Sequence, residues 1–339
     1  MNRWNAHSRL WSAAVFLGSL AILSLGATTS QAVPIDLTDA TPSVSGATTL
    51  HIDGISTLGS SYWADFQWNA RTNKFDVLAY GEESSVPEGF VLIEAGTFTM
   101  GSPEGEPGRS SDETEHRVTL TRGFYLSETE VTQAQWVAVM GSNPSGFPGC
   151  DDCPVESVNW YAAVDYCNAL SELESLEPAY EGLGADIVWN QEANGYRLPT
   201  ESEWEYACRA GSGTAFFNGD ITYLDCDPLE PKLDEIGWYC GNAYGKPHPV
   251  GEKSANAWGL YDTSGNVWEW CWDWSGEYPD CGGNPCVDPV GSVAGISRAH
   301  RGGSWRNDAD ICRSANRNGY GPPGSSDVNL GFRPARWGP

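Results

Sequence analysis

The sequence predicts a mixed α+β protein in which helices and strands are short and loops carry much of the chain. Its 339 residues include 39 Gly, 21 Pro and 16 Trp, a composition that favours frequent turns and supplies large aromatic side chains to fix irregular segments. From Phe90 onward, short apolar runs alternate with brief helical patterns and with stretches rich in Gly, Pro, Asp and Asn. Hydrophobic residues make up 40% of the chain, which is enough to bury a substantial core.

The N-terminus has the pattern of an export signal. Arg3 and Arg9 precede the apolar run 11–27, and the small-x-small sequence at 30–32 follows it. We therefore expect residues 1–32 to be a signal peptide and the protein to be secreted or held in the periplasm or cell envelope. The alternative is a retained membrane anchor, although the apolar run is short for a bilayer span. We expect no membrane span in the mature chain.

Residues 33–87 differ in composition from the rest of the chain. They contain no Cys and are rich in Ser, Thr and Gly, and two alternating runs, 62–69 and 74–80, flank the polar residues 70–73. Alternation on both sides of a short polar segment predicts a β-hairpin. We expect a small β-rich N-terminal module or extension, followed by the main domain over residues 88–339.

Three helices in the main domain begin at recognisable N-caps. Thr132 with Gln135, and Thr200 with Glu203, both have the spacing of a capping box. Asn159 precedes a run whose apolar residues recur on one helical face.

The charge balance limits the choice of partners. The chain has 19 basic and 45 acidic residues, a net charge of −26. Nucleic acid is therefore not expected as a partner. Such an acidic surface suits divalent cations or basic peptides, or serves only to keep an exported protein soluble.

All ten cysteines lie beyond residue 149, and an export signal would place them where disulfides persist. Cys150 with Cys153, and Cys281 with Cys286, lie in Gly-, Pro- and Asp-rich loops and predict short disulfides rather than zinc sites. Cys226 and Cys240 flank another loop and predict a third disulfide. The other four lie in sequence typical of a core: Cys167, Cys208, Cys271 and Cys312.

Four separated blocks follow one another in a characteristic order. They are FVLIEAGTFTMGS (90–102), YRLPTESEWEYACRAG (196–211), NAWGLYDTSGNVWEWCWDW (256–274) and RGGSWRNDADICRSANRNGYGPPGSSDVNLGFR (301–333). With these blocks the chain resembles the formylglycine-generating enzyme family, also called sulfatase-modifying factors, over about residues 88–336. The resemblance implies an elaborated C-type-lectin-like fold. It also implies the family activity, which is oxidation of a Cys to formylglycine, with copper(I) and dioxygen, in an exported client protein or peptide such as a sulfatase.

The resemblance also implies site residues. In the family two Cys thiolates hold copper(I), and here Cys312 matches the second of them while Asn307 falls at the first. An amide is a poor ligand for copper(I), so half of the expected ligand pair is missing. Cys271 is a candidate for a second thiol brought close in space, the alternative being a core residue. The family's groove further implies catalytic roles for Ser304 and Trp268, and substrate-binding roles for Asn329, Asn307 and Trp305.

Some of these motifs also have a structural interpretation. In a domain built largely from loops, the glycines of RGGSW allow close approach of the backbone, and Arg333 of the LGFR sequence is expected to fix neighbouring loops from inside.

The turn from Asp262 to Glu269 is a candidate calcium site. Two carboxylates seven residues apart on a Gly-containing turn supply the oxygen ligands that calcium prefers. In the family this turn carries a structural calcium, and the matching ligands are Asp262, Glu269 and the carbonyls of Gly265 and Val267. The alternative is that both carboxylates accept hydrogen bonds from backbone amides.

Three functional hypotheses follow. The first is the family oxidation of a client Cys, and the second is a non-catalytic C-type-lectin-like domain that binds a ligand or protein. Residues 306–329, rich in Asn, Asp, Arg, Ser and Gly, suit the second hypothesis. The third is a divergent exported oxidase that works without the copper pair. The five His residues have no metal-ligand spacing, and the chain has neither a P-loop nor a dinucleotide fingerprint.

Overall fold

The computed structural model describes residues 41–43, 49–57, 60–69, 74–82, 86–319 and 321–339. The chain divides into two compact units, Met1–Ser85 and Val86–Pro339. The signal peptide predicted over residues 1–32 lies outside the described residues. In the part of the chain that is described, no helix has the length and apolar character to cross a membrane.

The first unit contains a four-stranded antiparallel sheet in the order β1-β2-β3-β4. Its strands are β1 (Thr41–Ser43), β2 (Thr49–Thr57), β3 (Ser60–Asn69) and β4 (Lys74–Glu82). β3 pairs with β4 from Tyr62 opposite Glu82 to Asn69 opposite Lys74. The hairpin predicted from the two alternating runs is therefore confirmed, while its turn lies outside the described residues.

The second unit combines short strands with short helices. The strands are β5 (Phe90–Ile93), β6 (Gly96–Met100), β7 (His116–Leu120), β8 (Phe124–Ser127), β9 (Tyr180–Glu181), β10 (Val188–Trp189), β11 (Trp268–Trp274), β12 (Cys286–Val287), β13 (Arg298–Arg301), β14 (Leu330–Gly331) and β15 (Ala335–Trp337). The helices are α1 (Gln133–Met140), α2 (Trp160–Leu173), α3 (Glu201–Arg209) and α4 (Pro231–Ile236), with 3₁₀ turns η1 (Gly184–Asp186) and η2 (Ala309–Cys312). The predicted mixed α+β class with little regular structure is confirmed.

Three three-stranded sheets organise this unit, and β9 and β10 form a separate antiparallel pair. β5 and β15 both pair antiparallel with β8. The first and last strands of the unit therefore lie on opposite sides of β8 in one sheet. β6, β7 and β12 form a second sheet. β11 is the central strand of the third, antiparallel to β13 and parallel to β14. The two blocks that carry most predicted site residues, around β11 and after β13, are therefore neighbours.

The helix starts agree with the sequence. Thr132 and Gln135 form a reciprocal capping box at α1, and Thr200 and Glu203 form one at α3. The side chain of Asn159 accepts a hydrogen bond from the amide of Ala162 in the first turn of α2. The capping-box and N-cap predictions are confirmed.

The interior contains arginines as well as aromatic residues. The largest fully buried side chains include Trp160, Trp204 and Trp270, together with four arginines. Each of these arginines pairs with a buried carboxylate: Arg197 with Glu203, Arg301 with Glu205, Arg313 with Glu113, and Arg333 with Glu269. Buried charges persist only when they are paired and hydrogen-bonded, and three of these four pairs connect segments that are far apart in sequence.

Three disulfides close short loops. They join Cys150 to Cys153, Cys226 to Cys240 and Cys281 to Cys286, while the other four cysteines are free and buried. Both the predicted pairs and the core assignment are confirmed. Disulfides of this kind are consistent with an extracytoplasmic location.

Replacing Thr132 with Ala removes one half of the capping box of α1. We expect the free energy of unfolding to fall by about 1 kcal/mol, the usual cost of losing an N-cap side chain. Urea unfolding of the Thr132→Ala variant measures this. The matched control is Thr222→Ala, at an exposed threonine, which should change stability by less than about 0.5 kcal/mol. Equal effects of the two changes would contradict the role of the cap.

Candidate functional site

The glycine pair after β13 brings the backbone against the thiol of Cys312. Gly303 has a φ of +73°, and a Cβ at this position would lie 2.6 Å from the Sγ of Cys312. Any other residue would collide with the sulfur and strain the backbone. The GGS sequence thus covers Cys312 closely.

Cys312 is a buried free thiol. It has no exposed surface and packs in a hydrophobic cluster with Phe216, Tyr239 and Ala309. Burial raises the pKa of the Cys312 thiol far above its ordinary value. Because the thiolate is the form that ligates metals and attacks other groups, the buried thiol is poorly suited to either role.

Cys271 does not share this cluster. It packs with Trp204, Cys208 and Ala299, and burial likewise raises the pKa of its thiol. Its carbonyl accepts a hydrogen bond from Nε1 of Trp160 at 2.9 Å. This environment agrees with the interpretation of Cys271 as a core residue rather than a second thiol for Cys312.

Asn307 is part of a fixed chain of hydrogen bonds. Asn329 Nδ2 donates to Ser304 Oγ at 2.8 Å, and Ser304 Oγ donates to Asn307 Oδ1. The carbonyl of Asn307 accepts from the amide of Cys240 at 3.1 Å. Asn307, the residue predicted at the first thiol position, is thus an amide whose side-chain oxygen already accepts a hydrogen bond from Ser304. With one buried thiol and one amide, these residues do not fit the family's two-thiolate copper centre.

The two predicted tryptophans are largely internal. Trp268 is 4% exposed and makes an edge-to-face contact with His300, whose pKa burial lowers to about 4. Trp305 meets Phe147 edge-on at 5.5 Å, and its Nε1 donates to the carbonyl of Val328 at 3.3 Å. Both rings are therefore mostly covered by neighbouring residues, and the groove roles expected for them stay predictions.

The accessible part of this region consists of polar side chains, which we call the polar rim: Arg306, Asn307, Asp308 and Asp327. Arg306 and Asp327 form an ion pair at 2.6 Å in which each side chain is 45% exposed. Asn307 is half-buried, and Asp308 is exposed. The rim therefore offers a guanidinium, an amide and two carboxylates around the hydrogen-bonded chain of Asn307.

The predicted calcium turn carries an unsatisfied carboxylate oxygen. Asp262 Oδ2 accepts from the amide of Gly251 at 2.7 Å, whereas Oδ1 is buried and has no hydrogen-bond donor among the described residues. Burial raises the pKa of Asp262 to about 6. Gly265 has a φ of +95°, and a Cβ there would lie 2.2 Å from the carbonyl oxygen of Trp238. The turn thus requires glycine at this point and presents a free oxygen.

Glu269 is held by an arginine rather than by backbone amides. Arg333 Nε and Nη2 donate to its two oxygens at 2.6 and 2.7 Å, and Trp204 Nε1 donates at 2.7 Å. All three side chains are buried. A cation at this turn would share Glu269 with Arg333.

Glu130 adds a third carboxylate that the sequence did not indicate. It is fully buried, and its Oε1 accepts from the amide of Val267 at 3.3 Å. Burial, followed by the charges of Asp262 and Glu269, raises the pKa of Glu130 well above its ordinary value. Three carboxylates thus face one guanidinium, Arg333. This excess of carboxyl groups over cationic side chains and the free Asp262 oxygen fit a hard cation such as calcium.

Long-range proximity explains what the sequence analysis missed. Glu130 is more than a hundred residues from the turn that it adjoins, and its position before an N-cap gives no sign of this. The contact between Asp308 and the Cys226–Cys240 disulfide, with carboxylate Oδ1 3.0 Å from Sγ of Cys226, was missed for the same reason.

The sequence matches the family profile described as "Sulfatase-modifying factor enzyme 1-like domain" over residues 76–337, well over half of the chain. The chain belongs to this family.

The proteins that this chain resembles are named for different functions. The chain is 34% identical over 299 residues to chaperone protein LppX of Paenibacillus barcinonensis, covering 79% of this chain and 94% of that protein. It is 31% identical to the formylglycine-generating enzyme of Streptomyces coelicolor, covering 72% and 88%. Among solved structures, Treponema denticola variable protein 1 is 34% identical with a TM-score of 0.64, covering 73% and 94%. Family membership thus leaves catalytic activity open.

Replacing Arg333 with Met would leave Glu269 buried without its cation. We expect a loss of about 3–5 kcal/mol in the free energy of unfolding, the range seen when one partner of a buried ion pair is removed. Denaturant unfolding of Arg333→Met checks this. The control Arg336→Met loses an exposed hydrogen bond to the carbonyl of Asn194 and a cation–π contact with the ring of Tyr196 at 5.8 Å, and should cost only about 1–2 kcal/mol. A small effect of the Arg333 change would show that the pair does not hold the domain together.

Proposed function

We propose that this protein is an exported, non-catalytic member of its family that binds a segment of a client protein at the polar rim. The proposed architecture is the elaborated C-type-lectin-like fold that the sequence resemblance implies. The observation that carries the proposal is the hydrogen-bonded amide of Asn307 at the predicted first thiol position, beside a Cys312 thiol that is buried and protonated.

Cysteine oxidation by the family route needs two thiolates as copper ligands. A neutral thiol under Gly303 and an amide that already accepts a hydrogen bond from Ser304 supply neither soft anionic ligand. These residues instead form a rigid base under the polar rim, because the side chains of Asn329, Ser304 and Asn307 are hydrogen-bonded to one another. A protein that keeps the family fold but not its oxidation chemistry would have such a buried neutral thiol at Cys312 and a hydrogen-bonded amide at Asn307.

The polar rim has the chemistry of a protein-binding surface. The pair between Arg306 and Asp327 is half-exposed, and such pairs contribute only about 0–1 kcal/mol to stability. A client can therefore displace Asp327 from Arg306, or Arg306 from Asp327, at a small cost in free energy. It then binds the guanidinium or the carboxylate that has been released. Asp308 adds an exposed carboxylate acceptor next to Asn307. Adaptable polar contacts over a fixed base are typical of recognition loops.

We infer that the ligand is a protein because one relative of this chain is named as a chaperone. The protein named as a chaperone is 34% identical to this chain, and the alignment covers 94% of it. By analogy we assign to this chain the binding of an extended or incompletely folded exported protein.

Client binding is tested with a chemically denatured model protein that aggregates on dilution, followed by light scattering. We expect the wild-type chain to suppress aggregation and the Arg306→Ala/Asp327→Ala variant to lose at least half of this effect. The Lys246→Ala/Glu181→Ala variant removes the same two charges from exposed positions elsewhere and should retain it.

The same preparations are incubated with a sulfatase-type Cys peptide, copper(I) and air, and the peptide is examined by mass spectrometry. We expect no formylglycine. Catalytic turnover that disappears in Cys312→Ser would contradict the proposal, and so would failure of the wild-type chain to suppress aggregation.

We also propose that Asp262, the Gly265 and Val267 carbonyls and Glu269 hold a structural calcium ion. The buried free oxygen of Asp262 and the excess of carboxylates around Arg333 support it. Calcium would neutralise charge that the protein leaves uncompensated, and its oxygen ligands are of the hard type that this cation requires.

Calcium should stabilise the protein in a pH-dependent way. The raised pKa of Asp262, about 6, means that its contribution to stability in the metal-free protein is lost as pH rises through that value. Calcium needs the ionised carboxylate, so chelation should lower the melting temperature more at about pH 8 than at about pH 5. Thermal unfolding with and without a chelator measures this. In Asp262→Asn the chelator effect should be small at both pH values. Equal melting temperatures of the wild-type chain with and without calcium at about pH 8 would remove the site.

A further inference from the structure

One disulfide lies directly at the polar rim. The Cys226–Cys240 bond joins two segments that flank α4, and both cysteines are partly exposed. Oδ1 of Asp308 lies 3.0 Å from Sγ of Cys226 and 3.6 Å from Sγ of Cys240. A disulfide sulfur carries no hydrogen, so neither contact is a hydrogen bond. The carboxylate faces two sulfurs that cannot donate to it in this state.

These three side chains have the composition of a metal site. Ligand atoms of Cys226, Cys240 and Asp308 all lie within 4.8 Å of one another. Two thiolates and a carboxylate suit a borderline divalent cation such as Zn²⁺, and three protein ligands leave one position of a tetrahedron open. In the oxidised form the sulfurs are not thiolates, so the site exists only after reduction.

The loop that carries the cysteines is held by contacts independent of the disulfide. The buried carboxylate of Glu230 accepts from the amides of Thr222 and Tyr223 at 2.8 and 2.7 Å. The amide of Glu230 in turn donates to the hydroxyl of Tyr239 at 2.7 Å. The segments that present Cys226 and Cys240 therefore stay in place when the sulfur–sulfur bond opens.

Asp308 is fixed between the same two segments. The amide of Asp310 donates to the carbonyl of Leu224 at 3.0 Å, two residues before Cys226, and the amide of Cys240 donates to the carbonyl of Asn307 at 3.1 Å. Backbone hydrogen bonds thus hold all three ligands together from both sides. Such preorganisation is what a specific site needs.

We propose that Cys226, Cys240 and Asp308 form a redox-gated zinc site at the polar rim. A dithiol reductant transfers two electrons and two protons to the disulfide and becomes a disulfide itself, leaving two thiols. Zn²⁺ then displaces both thiol protons to water and takes the Asp308 carboxylate as its third ligand. The fourth position is occupied by water and faces solvent. Reduction would convert the edge of the rim from a neutral disulfide beside a carboxylate to a metal centre.

The test uses the full chain with the other two disulfides removed, as Cys150→Ser/Cys153→Ser/Cys281→Ser/Cys286→Ser. Zinc uptake is measured against a chromophoric chelator before and after reduction with a phosphine, which does not bind zinc as dithiols do. We expect one zinc per chain after reduction and none before. Cobalt in place of zinc should give thiolate-to-metal charge-transfer absorption.

Two further variants test the individual ligands of the zinc site. Asp308→Asn retains the disulfide and should weaken zinc binding at least tenfold, since even a residue that only supports a ligand is worth about that factor. Cys226→Ser/Cys240→Ser, made in the otherwise native chain, should take up one zinc fewer than wild type after reduction, which covers the case in which the quadruple variant does not fold. Equal uptake by oxidised and reduced protein, or unchanged affinity in Asp308→Asn, would overturn the three-ligand site.

Discussion

The buried pair between Arg333 and Glu269 is the interaction on which much of the domain depends. The guanidinium binds both oxygens of Glu269 in β11 and also donates to the carbonyls of Ser127, Glu128 and Tyr261. A domain with short strands and long loops has many carbonyls that no helix or sheet satisfies, and each buried one needs a donor. Arginine supplies five N–H groups in a fixed geometry, so one side chain can join several loops to the central strand.

A second buried arginine that joins several loops lies beneath the polar rim. Arg313, directly after Cys312, pairs with Glu106 and Glu113 and also donates to the carbonyl of Gly108. This anchors η2 to a loop some two hundred residues earlier in the chain. The result is a rigid layer in which Cys312 is one more buried side chain, and the exposed side chains of the polar rim lie next to it in the sequence. A binding surface benefits from such a layer because less conformational entropy is lost when a client docks.

Local signals in the sequence predicted much of the fold. The capping boxes at Thr132 and Thr200 need only residues three apart, and the disulfide loops are short enough to be recognised by composition. Arg333 was expected to fix loops internally, which its contacts confirm. The sequence could not reveal Glu130 beside the Asp262 turn, because nothing local marks a carboxylate that becomes buried against a distant segment. The groove role expected for Trp268 stays a prediction; in the structure this ring is 4% exposed and contacts His300.

We infer that the predicted thiol-pair position, with an amide at Asn307 and a buried thiol at Cys312, does not bind copper(I) tightly. Anaerobic copper(I) titration without a thiol reductant, which leaves the three disulfides intact, tests this most directly when wild type, Cys312→Ser and Asn307→Cys are compared. We expect wild type and Cys312→Ser to bind copper(I) equally weakly. We expect Asn307→Cys to bind copper(I) more tightly, because it restores a second soft ligand. Tight one-to-one binding by wild type that disappears in Cys312→Ser would contradict it.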